Sequence, residues 1–367
     1  MAPGHKHKKD AATPEPQSSS PSPSSPSPSS PLSPASSVRA AAMLDTSGSD
    51  SDGKRFDSLE SMWRAYGLPE QQCVPGSPIK PKSTPSASAS TSDGDGQEAV
   101  LPAAAEASTS NPPNQGDDGA AAEPAATPRW YTDAKDYWDK VDTTIDGMLG
   151  GFARISPIDV EGSNAFLGPL IRGSKAKTAP HRALDCGAGI GRVTKHFLLP
   201  NFETVDLVEQ CGKFLTASIK YIGSDRVGSR FCAGLQDFVP ERQHYNVIWV
   251  QWVSSHLTDD DFVAFFKRCQ SALVPGGLIC VKENTTKSGF LVDAEDSSVT
   301  RSDELFKALF ERAELDIIKE DTQQRFPKAL FKVKMYALQP RSTPQQAQSS
   351  QVLVTETVTS QSSPMQQ

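Results

Sequence analysis

Large apolar residues are scarce in the first third of this chain of 367 residues. Positions 1–127 are dominated by Ser, Pro, Ala, Gly, Asp and Thr. Such a segment buries too little surface to offset the entropy lost on ordering, so disorder is expected there. No run of about 20 apolar residues occurs, which argues against a membrane-crossing helix. The N-terminus lacks the apolar stretch of a secretory signal. Positive charge is not in excess either: 37 Lys+Arg stand against 44 Asp+Glu, a formal net charge of −7. A general nucleic-acid binder would show a basic stripe instead. The six cysteines (Cys73, Cys186, Cys211, Cys232, Cys269, Cys280) form no C-x-x-C pair, so no metal site is expected. Their mostly apolar surroundings read as reduced core thiols of a cytoplasmic or nuclear protein.

From Pro128 to Leu338 the composition becomes that of a globular chain, long enough for one α/β domain with a full core. Residues 339–367 return to Gln, Ser and Thr and are expected to be a disordered tail. Within the N-terminal extension, residues 10–53 are a Ser-Pro tract, which favours extended polyproline-like conformations. The patch His5-Lys6-His7-Lys8-Lys9 is a candidate nuclear address. One island stands out. Phe56, Leu59, Met62, Trp63 and Tyr66 fall on one face of a helix over residues 56–66. An amphipathic island in a disordered segment is a candidate helix for docking a partner.

The domain begins with helical patterns over 130–141 and 158–171, which precede the first strand and are expected to lie over the sheet as a lid. Strands then alternate with helices. Tyr245 to Trp252 is nearly all apolar, as a strand buried on both faces should be. The last two strand patterns, 315–318 and 329–338, are joined too closely for a helical crossover. They predict a hairpin with one antiparallel strand. The fold class is therefore α/β, a mostly parallel, doubly wound sheet whose ligands sit at the carboxyl ends of the strands.

The chemistry centres on Leu184-Asp185-Cys186-Gly187-Ala188-Gly189-Ile190-Gly191-Arg192, a strand end, a glycine-rich turn and a helix start. Glycines there let a ligand approach the backbone closely, and the helix N-terminus offers free N–H groups. The dinucleotide fingerprint is G-x-G-x-x-G. This stretch is G-x-G-x-G with an acid two residues ahead, a pattern similar to the class I methyltransferase motif for S-adenosylmethionine. The next strand ends at Glu209, about 20 residues on, where an acid can take ribose hydroxyls.

Further stretches carry a more specific resemblance: Asp146-Gly147-Met148-Leu149-Gly150-Gly151, Gly234-Leu235-Gln236-Asp237-Phe238, Ile248-Trp249-Val250-Gln251-Trp252 with His256-Leu257-Thr258-Asp259, and Asp293 through Val299. Together with the glycine turn, they resemble the α-N-terminal protein methyltransferases, which act on proteins beginning X-Pro-Lys after loss of the initiator Met. The resemblance runs from about Trp130 to Leu338 and excludes both tails. It implies a Rossmann-like, seven-stranded fold and S-adenosylmethionine as cofactor. By the same resemblance, Gly187, Arg192, Glu209, Leu235, Gln236, Gln251 and Trp138 contact the cofactor, with Arg192 pairing its carboxylate as a fork. Asn284 binds the substrate amine, Asp293 and Asp296 the substrate lysine and its surroundings, and Trp252 the second-position proline. Gly150 lines the mouth of the site, and Asp296 or His256 removes the amine proton. The family has Asp at Glu209 and Tyr at Phe331, so a hydroxyl contact to peptide is lost at Phe331. Two other readings share the glycine turn: a methyltransferase of small molecules or side-chain amines, and a non-catalytic cofactor-binding scaffold.

Overall fold

The computed structural model describes residues 44–68 and 128–341. The basic patch at His5–Lys9, the Ser-Pro tract up to residue 43, Cys73 and the tail from residue 342 lie outside the described residues. The first elements are β1 (Gly48–Asp50), β2 (Arg55–Phe56) and α1 (Leu59–Ala65), followed by α2 (Arg129–Trp138), α3 (Ile145–Met148) and α4 (Ser156–Ile171). The alternating part comprises β3 (Arg182–Cys186), β4 (Thr204–Glu209), α5 (Gly212–Ile222), β5 (Val227–Cys232), β6 (Tyr245–Gln251) and α6 (Asp259–Ala272). The chain closes with β7 (Leu273–Thr285), β8 (Phe290–Asp293), β9 (Ser298–Arg301), α7 (Asp303–Arg312), β10 (Leu315–Thr322) and β11 (Lys332–Pro340).

The main sheet has seven strands in the order β10-β11-β7-β6-β3-β4-β5. The pairs along β7, β6, β3, β4 and β5 are parallel, whereas β11 runs antiparallel to both β7 and β10. Every residue of β6 is buried, because helices cover both faces of the sheet. From β3 the chain winds outward through β4 and β5, then returns to β6 on the other side. That reversal opens a crevice at the carboxyl ends of β3 and β6, the usual ligand site of such sheets. One wall of the core is aromatic. Phe262 and Phe266 of α6 lie 4.4 Å apart, centroid to centroid, and Phe310 of α7 packs 5.9 Å from Phe262. Thr258 Oγ1 caps α6 by accepting from Asp261 N at 3.2 Å, and the three aspartates of the first turn suit the helix dipole.

Two boundaries move. The C-terminal one passes 338, because Gln339 and Pro340 continue β11 opposite Asp316 and Leu315. The larger change concerns the extension 1–127, expected to be disordered apart from a short helix over 56–66: residues 44–68 fold onto the domain. β1 pairs in parallel with β8, giving a second sheet of four strands in the order β2-β1-β8-β9. The expected helix over 56–66 forms over 59–65, since Phe56 belongs to β2 and Ser58 caps α1 through Ser61 N. Its apolar face does not await a separate partner. Leu59, Met62 and Trp63 are buried against the chain's own core, with Trp63 edge-on to Trp130 at 5.0 Å. Burying three such side chains is worth roughly 5–9 kcal/mol. Ordering the backbone of the seven residues of α1 costs roughly 7–14 kcal/mol, so the strand pairing of β1 is part of what holds the segment. Among the described residues, no helix is long and apolar enough to cross a membrane.

Candidate active site

The crevice is a cleft lined by α2, the glycine turn, the loop after β5 and the end of β6. The glycine turn forms its floor. Gly187 and Gly189 adopt φ of +66° and +55°, and a Cβ at either would come within 2.5 Å of Val253 or Met148, so only glycine leaves this space open. The turn is tied to β4, as Gly187 N and Ala188 N both donate to Val208 O, at 2.9 and 3.1 Å. Glu209, at the end of β4, accepts from Gly189 N at 3.0 Å and Cys211 N at 2.9 Å. Each carboxylate oxygen keeps a second lone pair for a ligand diol. Burial raises the Glu209 pKa while these backbone bonds oppose the rise. Opposite, Leu235 and Gln236 line the cleft. Arg268 pins their loop by donating to the carbonyls of Leu235, Gln236 and Phe238 at 2.8 to 3.0 Å. Tyr131 and Trp138 of α2, with Met148 of α3, line the cleft, as the lid reading expected of the first helix; α4, expected to share that role, packs on the sheet through Phe166, Leu167 and Leu170 instead.

A buried ionic hub lies beside the turn. Asp159 of α4 accepts from Arg192 Nη1 at 2.7 Å and from Gln251 Nε2 at 2.9 and 3.0 Å. Lys282 Nζ stands 2.6 Å from the same carboxylate and also donates to Ser163 Oγ at 2.9 Å and Gln323 Oε1 at 2.7 Å. Several acceptors around one nitrogen require an ammonium. Burial would raise the Asp159 pKa, but Lys282 and Arg192 hold it below the usual carboxylate range. Arg192 Nη1 is committed to Asp159 and Ser156, which leaves Nε and Nη2 for the expected forked pairing with a carboxylate. The hub still aims both Arg192 and Gln251 at the cleft wall.

Trp252 follows β6 at φ +53° and is 4% exposed. A bulky residue in left-handed backbone is an outlier of the kind found at functional sites. The Arg192 guanidinium lies 5.6 Å from its ring. His256 sits on the same wall with both ring nitrogens engaged: Trp138 Nε1 donates to Nε2 at 3.1 Å, and Nδ1 faces Ser297 O at 3.1 Å. This fixes a neutral ring with the proton on Nδ1, and burial pushes its pKa down to about 3. His256 is thus built to position rather than to take up a proton. Its Nδ1 bond reaches the turn between β8 and β9, which carries Asp293 and Asp296. Ser297, inside that turn, is also left-handed at φ +53°. Asp293 is exposed and accepts from Glu295 N at 3.0 Å. Asp296 is buried, and among the described residues neither its Oδ1 nor Oδ1 of buried Asn284 on β7 has a hydrogen-bond partner. Native proteins rarely leave buried acceptors unpaired, so two of them in the region flanking a cleft point to a ligand that brings N–H groups. Burial raises the Asp296 pKa.

The cleft thus gathers Gly187, Arg192, Glu209, Leu235, Gln236, Gln251, Trp138, Trp252 and His256. Asn284, Asp293, Asp296 and Gly150 lie outside its lining. Phe331 does too: it is half-buried ahead of β11, while Leu330 and Phe326 cluster with Trp252. Asp159, Lys282 and Arg268 were missed; nothing in the local sequence of Asp159 or Arg268 marks a buried charge. A lysine inside an apolar strand pattern, at Lys282, was the one available signal.

A family model described as AdoMet-dependent proline di-methyltransferase matches residues 126–339. The N-terminal Xaa-Pro-Lys N-methyltransferase 1 of Danio rerio is 49% identical over 211 residues, 57% of this chain and 95% of that protein. The alpha N-terminal protein methyltransferase 1 of Oryza sativa subsp. indica is 39% identical over 305 residues, 80% of this chain and 92% of that protein. Among solved structures, a SAM-dependent methyltransferase of Leishmania major aligns with a TM-score of 0.62 at 34% identity, covering 81% of this chain and 97% of its own.

Proposed function

Because the chain belongs to the family of AdoMet-dependent proline di-methyltransferases, we propose that it methylates the α-amino group of proteins beginning X-Pro-Lys once the initiator Met is removed. The observation that carries this reading is the pair of buried acceptors without partners, on Asn284 and Asp296, flanking a glycine-floored cleft.

The donor set fits S-adenosylmethionine. Glu209 suits the ribose diol and Leu235 with Gln236 the adenine side, while Arg192 and Gln251, anchored on Asp159, suit the methionine end. When bound, the cofactor supplies an electrophilic methyl group on a sulfonium sulfur. The protein's task is to align an amine with it and carry off a proton. A free N-terminal amine has a pKa of about 7.7 to 8.0 and is a poor nucleophile while protonated. Asn284 Oδ1 accepts one amine N–H and orients the nitrogen. Asp296, its pKa raised by burial, takes the proton. His256 keeps the Asp296 turn in place through Ser297 O, and Trp138 keeps the His256 ring neutral. Trp252 offers its indole face to the ring of the second-position proline. Exposed Asp293 pairs with the third-position lysine, and Gly150 borders the mouth.

The test is mass spectrometry of a Ser-Pro-Lys peptide incubated with the protein and S-adenosylmethionine, beside an N-acetylated copy. Mass gain in steps of one methyl on the free-amine peptide alone is expected. No gain on that peptide, with cofactor binding intact, would overturn the reading.

A further inference from the structure

Residues 44–68 contribute nothing to the cleft lining, yet they grip the turn that carries Asp293 and Asp296 from two sides. On one side, β1 runs along β8 with Gly48, Ser49 and Asp50 opposite Phe290, Leu291 and Val292. Phe290 N donates to Ser47 O at 3.1 Å, and Ala294 N, inside the turn, donates to Ser51 Oγ at 3.3 Å. On the other side, Trp63 and Tyr66 pack edge-on against Trp130 at 5.0 and 5.4 Å. Trp130 Nε1 donates to His256 O at 2.7 Å, and the His256 ring holds Ser297 O.

Without β1 and β2, strands β8 and β9 would be a two-stranded hairpin with an open edge. Such hairpins are marginally stable on their own, and an open edge strand has unpaired backbone groups. The strained backbone at Ser297 also needs surroundings that over-determine it.

We infer that residues 44–68 are a built-in positioning element for the substrate half of the site, clamping the β8–β9 turn so that Asp293 and Asp296 meet the peptide in one fixed geometry. This rests on the reading that the turn binds the peptide. The β1 arm touches only the β8–β9 hairpin, so its loss falls on peptide recognition and leaves the cofactor cleft intact, whereas the Trp63 arm also bears on α2, whose Tyr131 and Trp138 line that cleft.

The test uses the full chain with Gly48→Ala, whose Cβ would come within 2.4 Å of Phe290 O and force β1 off β8. Trp63→Ala is the second variant, and Asp293→Ala the control for the turn. The readouts are cofactor Kd by calorimetry, peptide KM and kcat, and hydrogen exchange over residues 290–301. Gly48→Ala is expected to raise peptide KM about tenfold or more, the cost of losing on the order of 1.4 kcal/mol of fixed geometry. Exchange in 290–301 should quicken, with cofactor Kd unchanged. If Asp293→Ala raises KM while Gly48→Ala leaves KM and exchange at wild type, the clamp is refuted and the functional reading stands. If neither Asp293→Ala nor Gly48→Ala changes KM, the turn does not bind peptide and the clamp falls, while methylation of the peptide keeps the functional reading standing. A loss of cofactor affinity in Gly48→Ala that parallels the rise in KM would signal general unfolding and would also overturn the clamp.

Discussion

Asp296→Asn replaces one oxygen with a nitrogen of nearly the same size, so the turn and its contact with His256 through Ser297 O should persist. What disappears is the proton acceptor. General-base catalysis contributes about 10²- to 10⁴-fold, so kcat/KM should fall by that factor, or roughly 3–5 kcal/mol of transition-state stabilisation. Cofactor affinity should not change, since Asp296 is outside the cleft lining. The pH profile separates this role from loss of shape. In the wild type the productive encounter is carboxylate with protonated amine. The acid limb of kcat/KM therefore follows the Asp296 carboxyl, which burial holds above the ordinary aspartate value. In the variant only the free amine reacts, and the limb moves to about 7.7 to 8.0. The deficit should thus narrow as pH rises past the amine pKa. Steady-state methylation of a Ser-Pro-Lys peptide, followed by mass spectrometry from mildly acid to mildly alkaline pH, measures both effects. Wild-type rates, or a large deficit with the acid limb unmoved, would refute the assignment of the proton to Asp296.

Two further predictions concern buried charge. Asp159→Asn strands Arg192 and Lys282 as two buried cations without a carboxylate between them, and should cost about 3–5 kcal/mol. Adding Lys282→Met should recover part of that loss, measured by denaturant unfolding, and a double variant no better than Asp159→Asn would contradict the hub. Burial pushes the Asp185 carboxyl up to about 7, while Thr194 Oγ1 donates to it at 2.6 Å. Between its ordinary value of 3.8 and about 7, the folded chain keeps a proton that the unfolded chain has released. This group's contribution is therefore full below the lower value and is lost as pH rises through the upper one, a span of roughly 4 kcal/mol. Asp185→Asn should flatten that fall, so its Tm relative to wild type climbs from acid to neutral pH. A constant Tm difference would show that Asp185 is ionised throughout.

The sequence by itself determined the sheet. The buried run at β6, the glycine turn after β3 and the closing pair β10–β11 are local patterns of period, size and backbone freedom, and they survive in isolation from the rest of the chain. The cofactor side of the site was legible for the same reason, because Gly187, Arg192 and Glu209 belong to the elements that form the crevice. Tertiary structure alone decided the rest. Phe56 to Tyr66 carry an apolar face whatever covers it, and only the pairing of β1 with β8, more than 200 residues away in sequence, turns that face toward Trp130. Lys282 reads as an ordinary strand residue until α4 brings Asp159 to it across 123 positions. His256 has the residue type of a proton carrier, but Trp138 and Ser297 occupy both its nitrogens and burial keeps it neutral. A one-dimensional pattern records which surface a residue prefers to bury. Which charges meet, and which acceptors are left without partners, depends on distances that exist only once distant segments have packed.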